Sequence, residues 1–263
     1  MIRGFLHPGS GLGNQLHRYV ATRVLALDKE YDFSMIGKEN FKGKSFMQLD
    51  FGREDYIPHH IEERTGKIIS HSNIPLWEEK TGYYNPEFNF IGDNTTVDGE
   101  FQDERYFRHR LPEIDKWLAV EQLDIPDDLC VIGFRGGEFA LFPDLFLTED
   151  YWNDGIRLMR QTNHNMRFEV HTDDPILAKQ FFPAYPVIHD IGVNWRSMRY
   201  AKYALIANSS FYIFPRLLRQ NDPGSRVDLI KGGPVTIAPR YWAQRNTKIW
   251  SMPQNYYGSF RYL

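Results

Sequence analysis

Short, largely apolar runs of strand length recur through the second half of the chain, and this recurrence constrains the fold more than any other feature. The runs lie at residues 129–134, 167–171, 187–190, 204–207 and 235–238. Residues 149–161 and 196–203, which lie between runs, have the apolar spacing of helices. Strands that alternate with helices predict parallel sheets covered on both faces, so we expect an α/β fold.

The N-terminal residues show the same pattern once, with an unusual turn. Residues 1–7 are a strand candidate, and apolar residues at three- and four-residue spacing predict a helix that begins near Asn14. Three glycines separate the two elements: Gly9, Gly11 and Gly13. Such glycines let a ligand approach the backbone at the positive end of the helix dipole, although a plain tight turn capped by Asn14 or Gln15 explains the same residues.

The pattern also divides the chain into two halves. Residues 37–95 are polar and predict loops with short elements, and a strand candidate follows at residues 95–101. Prolines and acidic residues interrupt the pattern between residues 111 and 128. We therefore predict two domains, residues 1–120 and residues 121–263.

Charge and composition exclude several classes of partner. Asp and Glu exceed Lys and Arg, 34 against 31, and no long basic run is present, which argues against nucleic acid and anionic membranes. We expect no secretion signal, because residues 1–11 contain neither an apolar stretch of about 7–15 residues nor a small-residue cleavage site. We expect no integral membrane segment, because no run of about 18 apolar residues occurs. The single cysteine, Cys130, suits a reducing cytoplasm. His59, His60 and His71 lack a metal-site spacing, so we predict no metal.

An arginine follows the first strand of the second half, at the edge where ligands bind in open parallel sheets. Arg135 is succeeded by Gly136 and Gly137, which leave its guanidinium unobstructed for a phosphate. An ion pair between Arg135 and Glu138 on a solvated loop is the alternative interpretation.

Polar residues follow two further strands of this half. Asp173 and Asp174 can accept hydrogen bonds from a nucleobase or a sugar, or hold a divalent cation, and the alternative is a cap for a helix that begins at Pro175. Ser209 and Ser210 stand at a predicted helix N-terminus, where hydroxyls and backbone amides bind an anion or simply cap the helix.

Six segments occur in a specific order: GLGNQ (11–15), GEFQDERYF (99–107), GFRGGEF (133–139), HTDDP (171–175), IANSSF (206–211) and GPVTIAP (233–239), the last followed by Tyr241 and Trp242. This order resembles the α-1,2-fucosyltransferase family, glycosyltransferase family 11, and more distantly the α-1,6- and protein O-fucosyltransferases. The resemblance extends over residues 9–242. It implies a GT-B fold, in which two Rossmann-like halves with parallel sheets face a cleft.

The resemblance also implies an activity and roles for individual residues. It implies an inverting, metal-independent transfer of L-fucose from GDP-fucose to a glycan hydroxyl, with the acceptor on the first half and the donor on the second. Arg135 would hold the donor diphosphate, and Asn14 would face both substrates. The donor-binding residues would be Gly11, Gly13, Gly133, Asp173, Asp174, Asn208, Ser209, Ser210 and Phe211. For the base that takes the acceptor proton, the candidates are His17, Glu138 and Asp103.

The third segment departs from the family motif His-x-Arg-Arg-Gly-Asp-Tyr. Gly133 replaces the histidine, Gly136 the second arginine and Glu138 the aspartate. Because a histidine there would help to seat guanine, a different nucleotide-sugar donor is one alternative. A catalytically inactive nucleotide- or glycan-binding relative is another, and a GT-A enzyme with manganese on Asp173 and Asp174 is a third.

Overall fold

The computed structural model describes residues 1–63, 66–80, 83–221, 233–240 and 257–263. The chain forms two compact units, Met1–Ala119 and Val120–Leu263. Tyr241 and Trp242, which follow the last segment of the family resemblance, lie outside the described residues. Among the helices of the described ranges, none has the length and apolarity that a membrane span requires.

The first unit is built on a four-stranded parallel sheet of order β2-β1-β6-β5, accompanied by a separate antiparallel hairpin of β3 and β4. Its elements are β1 (Ile2–Phe5), α1 (Leu12–Asp28), β2 (Phe33–Ile36), β3 (His59–Ile61), β4 (Ile68–Ser70), β5 (Leu76–Glu78), β6 (Thr95–Asp98) and α2 (Leu111–Trp117). Ile2 of β1 is aligned with both Phe33 and Thr95. The carboxyl ends of β1 and β6 are therefore neighbours.

Helix α1 begins at Leu12 rather than near Asn14. Its N-cap is Gly11, in extended conformation and without a side-chain cap. Gln15 does not cap the helix either: its buried side chain donates to the Asn40 carbonyl (2.9 Å) and accepts from the Lys42 amide (3.0 Å). The capping interpretation of Asn14 and Gln15 is thus wrong, because the chain enters the helix two residues earlier and uses Gln15 to fix a neighbouring loop.

The second unit contains a six-stranded parallel sheet of order β12-β11-β10-β7-β8-β9. Its elements are β7 (Leu129–Phe134), α3 (Glu149–Thr162), β8 (Arg167–Thr172), α4 (Pro175–Phe181), β9 (Val187–Ile188), α5 (Ile191–Tyr200), β10 (Tyr203–Ile206), α6 (Ile213–Asn221), β11 (Val235–Ala238) and β12 (Arg261–Tyr262). Counted from β7, this is the 3-2-1-4-5-6 order of a doubly wound Rossmann sheet. The predicted α/β fold with parallel sheets is confirmed.

One helix of this unit differs from its prediction. The spacing predicted a helix over residues 196–203, whereas α5 begins at Ile191. The reason is local, since the Asp190 side chain accepts a hydrogen bond from the Val193 amide (2.7 Å) and caps the helix there. Tyr203 then belongs to β10, where it is aligned with Cys130 of β7.

A buried arginine joins three elements on one side of this sheet. Arg216 of α6 is fully buried and donates from Nη1 to the Met198 and Ala201 carbonyls (2.8 Å each), where α5 ends. It also donates from Nε to Thr236 of β11 (2.8 Å). Burial lowers the pKa of Arg216 to about 9, so the group is charged at neutral pH and is stabilised by backbone oxygens.

Candidate functional site

The carboxyl ends of β7, β8 and β10 lie side by side in the second unit. Phe134 is aligned with Thr172 and Gly133 with Ile206, so β7 stands between its two neighbours in register. The strand order reverses between β7 and β10, which is where open α/β sheets bind ligands. The residues that follow these three strands, including Arg135 and Asp173, are brought to one edge of the sheet.

Arg135 is held by two carboxylates at this edge. One amino group forms an ion pair with Asp173, and the other donates to Glu138 Oε1 at 2.9 Å. The guanidinium also lies 5.2 Å from the Phe139 ring centroid. The Arg135 side chain is 28% exposed and that of Glu138 is 67% exposed. The predicted alternative, an Arg135–Glu138 pair, is present, and Asp173 adds a second partner that the sequence did not indicate.

Asp173 also fixes the glycines that follow Arg135. Its Oδ1 accepts from the Gly136 amide at 3.0 Å. A Cβ at Gly137, which has a φ of +35°, would lie 2.4 Å from Asp173 Oδ2, and a Cβ at Gly136 would lie 2.7 Å from the Cβ of Asp174. Both positions need glycine because the next loop packs directly on them.

Asp174 has the structural role that the sequence left open. Its Oδ1 accepts from the Leu177 amide at 3.0 Å, so it caps α4, which begins at Pro175. The two aspartates are therefore engaged by protein donors. The described residues contain no group of three His, Cys, Asp or Glu side chains placed to hold a metal ion. His60 and His71 instead contact each other, Nδ1 to Nε2, at 2.6 Å.

Gly133, where the family motif has histidine, is closely packed. A Cβ there would lie 2.8 Å from the Met198 terminal methyl and 2.8 Å from the Tyr212 ring. Tyr212 is buried and donates to the Phe134 carbonyl (3.3 Å), and burial raises the pKa of its phenol. The space that a histidine would occupy at this position is thus filled by a neighbouring tyrosine and methionine.

The serines after β10 cap a short turn before α6. Ser209 accepts from the Phe211 amide at 3.4 Å and opens a 3₁₀ turn over Ser210–Tyr212. Asn208 is buried and donates to the Leu145 carbonyl (2.9 Å). The capping interpretation applies here, and because α6 begins only at Ile213, the serines precede the helix by one turn. Phe211 packs edge-on against Trp195, with ring centroids 5.7 Å apart.

In the first unit, two of the glycines after β1 have different surroundings. A Cβ at Gly66, which has a φ of +66°, would lie 2.9 Å from the Gly9 amide nitrogen, so the chain after β3 packs on Gly9. A Cβ at Gly11 would meet nothing within 4 Å, and the backbone there is extended. The packing of Gly66 therefore explains why residue 9 is a glycine. No contact within the described part of the protein explains why residue 11 is a glycine.

Sequence reasoning missed a buried polar cluster beside this turn. Arg18 donates to the Gly99 carbonyl (2.8 Å), Ser10 (2.6 Å) and Glu100 (2.7 Å). These bonds tie α1, the glycine turn and the chain after β6 together. The only signal in the sequence was an arginine within the predicted helix, and helical spacing does not reveal that it is buried.

His7 is a second missed member of this cluster. Its Nδ1 accepts from the Ile68 amide (2.8 Å), so the proton is on Nε2, which donates to Asp98 (2.9 Å). With both ring nitrogens engaged and the ring buried, His7 positions Asp98 and the hairpin.

The candidates for a general base differ sharply in accessibility. His17 is fully buried and donates from Nδ1 to the Gly13 carbonyl (2.8 Å), and burial lowers its pKa to about 4. Burial disfavours the charge of Asp103, yet hydrogen bonds from Arg105 lower its pKa below the usual value, and it caps a short turn. Only Glu138 of the three is exposed. Asn14, which was expected to face the substrates, accepts from Gln102 (3.1 Å).

Comparisons with known proteins give a fold and no family. No family model matches the chain, and no curated protein matches it. Among solved structures, the E. coli heptosyltransferase WaaC with ADP is similar at a TM-score of 0.51 and 13% identity, over 100% of this chain and 92% of that chain. The fold is shared with a GT-B glycosyltransferase.

Two structures of the NodZ α-1,6-fucosyltransferase also match, with weaker superposition. The one co-crystallised with GDP has a TM-score of 0.43 at 11% identity, and the one soaked with GDP-fucose has 0.43 at 13% identity. Each covers 82% of this chain and 91% of that chain. At these TM-scores, the two NodZ structures do not strengthen the conclusion drawn from WaaC.

Proposed function

We propose that the protein is a glycosyltransferase that uses a nucleotide-sugar donor. We further propose that the donor is GDP-fucose and that the enzyme transfers L-fucose to a glycan hydroxyl in an α-1,2 linkage. The observation that carries the proposal is Arg135 at the switch point of the 3-2-1-4-5-6 sheet, beside the loops after β8 and β10. The similar structure of WaaC holds ADP, a nucleoside diphosphate. The fucose donor rests on the order of the sequence motifs.

The chemistry requires cationic and amide donors where Arg135 lies. When the bond between sugar and phosphate breaks, negative charge gathers on the leaving diphosphate, and preorganised donors at that position lower the barrier. Arg135 is oriented by Asp173, which is itself fixed by the Gly136 amide. A guanidinium held in this way loses little freedom when it binds a phosphate.

The two carboxylates on Arg135 have different roles in this scheme. Asp173 is anchored to the loop backbone, whereas Glu138 is exposed and accepts a hydrogen bond from Arg135. A donor diphosphate displaces Glu138 from the guanidinium, because it brings more negative charge and more acceptor oxygens than one carboxylate. Once released from Arg135, the exposed Glu138 is the candidate general base for the acceptor hydroxyl.

The first unit would receive the acceptor near Gly11. A Cβ at Gly11 would meet no atom of the described residues within 4 Å, and Gly11 is exposed, so the backbone is accessible at the start of α1. Asn14 lies one turn further along this helix and is oriented by Gln102. We propose that the donor and acceptor sugars both contact this turn, with Gly11 binding the donor and Asn14 facing both substrates.

A binding protein without turnover is the second candidate function. The packing of Tyr212 and Met198 around Gly133 leaves no room for the histidine of the family motif, which favours a nucleotide-binding relative or a donor other than GDP-fucose. Thermal-shift measurements with GDP, UDP, ADP and dTDP distinguish the donors, since a ligand at 100 times its Kd adds about 2.7 kcal/mol of stability. GDP release from GDP-fucose in the presence of acceptor glycans distinguishes the enzyme from the binding protein.

The Arg135→Ala variant tests the proposal directly. Loss of one preorganised donor to a developing anion costs about 3–4 kcal/mol, so kcat falls a few hundredfold. Arg167→Ala is the matched control, because Arg167 is also a surface arginine in an ion pair, with Asp128 at 2.6 Å, at the opposite end of β8. Equal activity of the two variants, or no turnover of any nucleotide sugar by the wild type, contradicts the enzymatic proposal.

A further inference from the structure

A histidine that the proposed mechanism does not use lies at the same edge of the sheet as Arg135. His189 directly follows strand β9, whose Ile188 is aligned with His171 of β8. Strands β7, β8 and β9 are neighbours in that order, and all three are parallel. Because neighbouring strands lie about 4.8 Å apart, the end of β9 is about 10 Å from the end of β7, where Arg135 follows. An extended nucleoside diphosphate can span this distance.

The imidazole of His189 is fixed at one nitrogen and accessible at the other. Its Nδ1 donates to the Thr172 carbonyl at 3.1 Å, because a carbonyl oxygen can only accept. In the neutral ring, Nε2 is therefore an acceptor. His189 is exposed, and within the described ranges of the chain its Nε2 has neither a hydrogen bond nor an ion pair. The edge thus presents an acceptor of defined orientation to solvent.

The carbonyl that orients His189 is itself held by a buried network. Asn194 of α5 donates from Nδ2 to the same Thr172 oxygen at 3.2 Å. The Asn194 Oδ1 accepts from Nδ1 of His171 at 2.9 Å. The His171 ring is fully buried, and its Nε2 donates to Glu169 at 2.8 Å. Residues of β8 and α5 therefore fix the imidazole of His189 before any ligand binds.

The strand order gives this ring a position relative to a bound nucleotide. In sheets of this order, the diphosphate lies at the first strand, and a residue after the second strand contacts the ribose. These two places correspond to Arg135 after β7 and to the loop that begins with Asp173 after β8. Since the ribose lies between the phosphates and the base, the base extends toward the end of β9. His189 is the residue at that end.

We propose that His189 recognises the nucleobase of the donor, by accepting a hydrogen bond at Nε2 from a ring N–H or an exocyclic amino group. The inference rests on the proposed function, because it requires a nucleotide whose diphosphate is bound by Arg135. Guanine has a 2-amino group beside a ring N–H, so GDP offers this acceptor two donors. His189 then contributes to the choice of donor and not to the transfer step.

Calorimetric titration of the full chain with GDP and with ribose 5-diphosphate, which lacks the base, tests this inference. His189→Asn keeps a donor for the Thr172 carbonyl and removes the acceptor at Nε2. We expect this variant to bind GDP about fivefold to tenfold more weakly and to bind ribose 5-diphosphate as the wild type does. His189→Gln places an amide oxygen near the position of Nε2 and restores part of the GDP affinity. Unchanged thermal midpoints show that both variants fold.

Two further variants separate this inference from the proposed function. His164→Asn is the matched control, because His164 is an exposed histidine of the same unit that precedes β8, at the opposite edge of the sheet. It leaves both affinities unchanged. Arg135→Ala weakens the binding of both ligands, since both carry the diphosphate.

Unchanged GDP affinity in His189→Asn overturns the inference, and so does an equal loss of affinity for ribose 5-diphosphate or an equal effect of His164→Asn. In each of these outcomes, weaker GDP binding by Arg135→Ala still supports the proposed function. Absence of GDP binding by the wild type, or unchanged affinities in Arg135→Ala, contradicts the proposed function and the inference together.

Discussion

Arg18 of the first unit contacts residues that follow strands β1 and β6, and Arg135 of the second unit directly follows strand β7, yet the two arginines have opposite surroundings. The Arg18 side chain is 8% exposed and is bonded to a backbone carbonyl, a serine and a glutamate. Arg135 is 28% exposed and is bonded to two side-chain carboxylates, one of them well exposed. A buried arginine with fixed partners supports the fold, whereas an accessible arginine with exchangeable partners can bind a ligand.

The largest expected effect on stability comes from removing Arg18. Arg18→Met removes the guanidinium from the buried Asp98 and the partly exposed Glu100, and leaves the Gly99 carbonyl without its donor, which together cost about 3–5 kcal/mol. Arg135→Met costs about 1 kcal/mol or less, because its pairs are partly exposed. Urea unfolding of the two variants measures both values. Equal losses of unfolding free energy would contradict the view that Arg18 supports the fold and Arg135 does not.

Lowering the pH provides the next largest effect, through His17. Burial lowers its folded-state pKa to about 4 from 6.5, so below pH 6.5 the unfolded chain binds a proton that the folded chain does not. Stability is therefore lost as the pH falls from 6.5 toward 4, by up to about 3 kcal/mol. His17→Leu should remove this part of the pH dependence of the unfolding free energy, and an unchanged slope in that variant would show that His17 is accessible.

The contrast between His17 and Glu138 shows where sequence reasoning stops. Strand β7 and strand β11 were predicted to the residue, because continuous apolar runs mark buried parallel strands. The start of α5 was missed, because a single cap at Asp190 outweighed the helical spacing that begins later. The burial of His17 had no signal in the spacing, and neither did the accessibility of Glu138.

The candidate site was predictable only where it follows strands. Arg135, Asp173 and Asn208 could be located at one edge, since the carboxyl ends of parallel strands meet there. The cluster of Arg18 and His7 could not, because its contacts with residues 98–100 join positions 81 to 91 residues apart. Such pairings depend on the packing of loops, which periodicity does not encode.

A pair of glycine variants sharpens the comparison at the level of packing. Gly133→Ser introduces a Cβ within 2.8 Å of Tyr212 and Met198, and overpacking of this kind costs about 1–3 kcal/mol. Gly11→Ser places a side chain in open space at an N-cap, where serine is favoured, so stability is unchanged or slightly increased. Activity with acceptor should nevertheless fall in Gly11→Ser. Full activity of Gly11→Ser would show that the glycine turn of the first unit is not part of the proposed site.

The smallest expected effect is a change in nucleotide affinity when Asp173 is neutralised. Asp173→Asn keeps an oxygen for the Gly136 amide and removes a negative charge that competes with the diphosphate for Arg135. We expect GDP to bind a few-fold more tightly while kcat falls, because Arg135 is less firmly oriented. Isothermal titration and steady-state kinetics separate the two effects, and weaker GDP binding in Asp173→Asn would mean that Asp173 itself contacts the nucleotide.

The most direct measurement is a crystal structure of the protein with GDP. We expect phosphate oxygens within hydrogen-bond distance of the Arg135 guanidinium, Asp173 still bonded to the Gly136 amide, and Glu138 displaced from Arg135. Phosphates bound away from the edge formed by β7, β8 and β10, with both carboxylates still on Arg135, would contradict it.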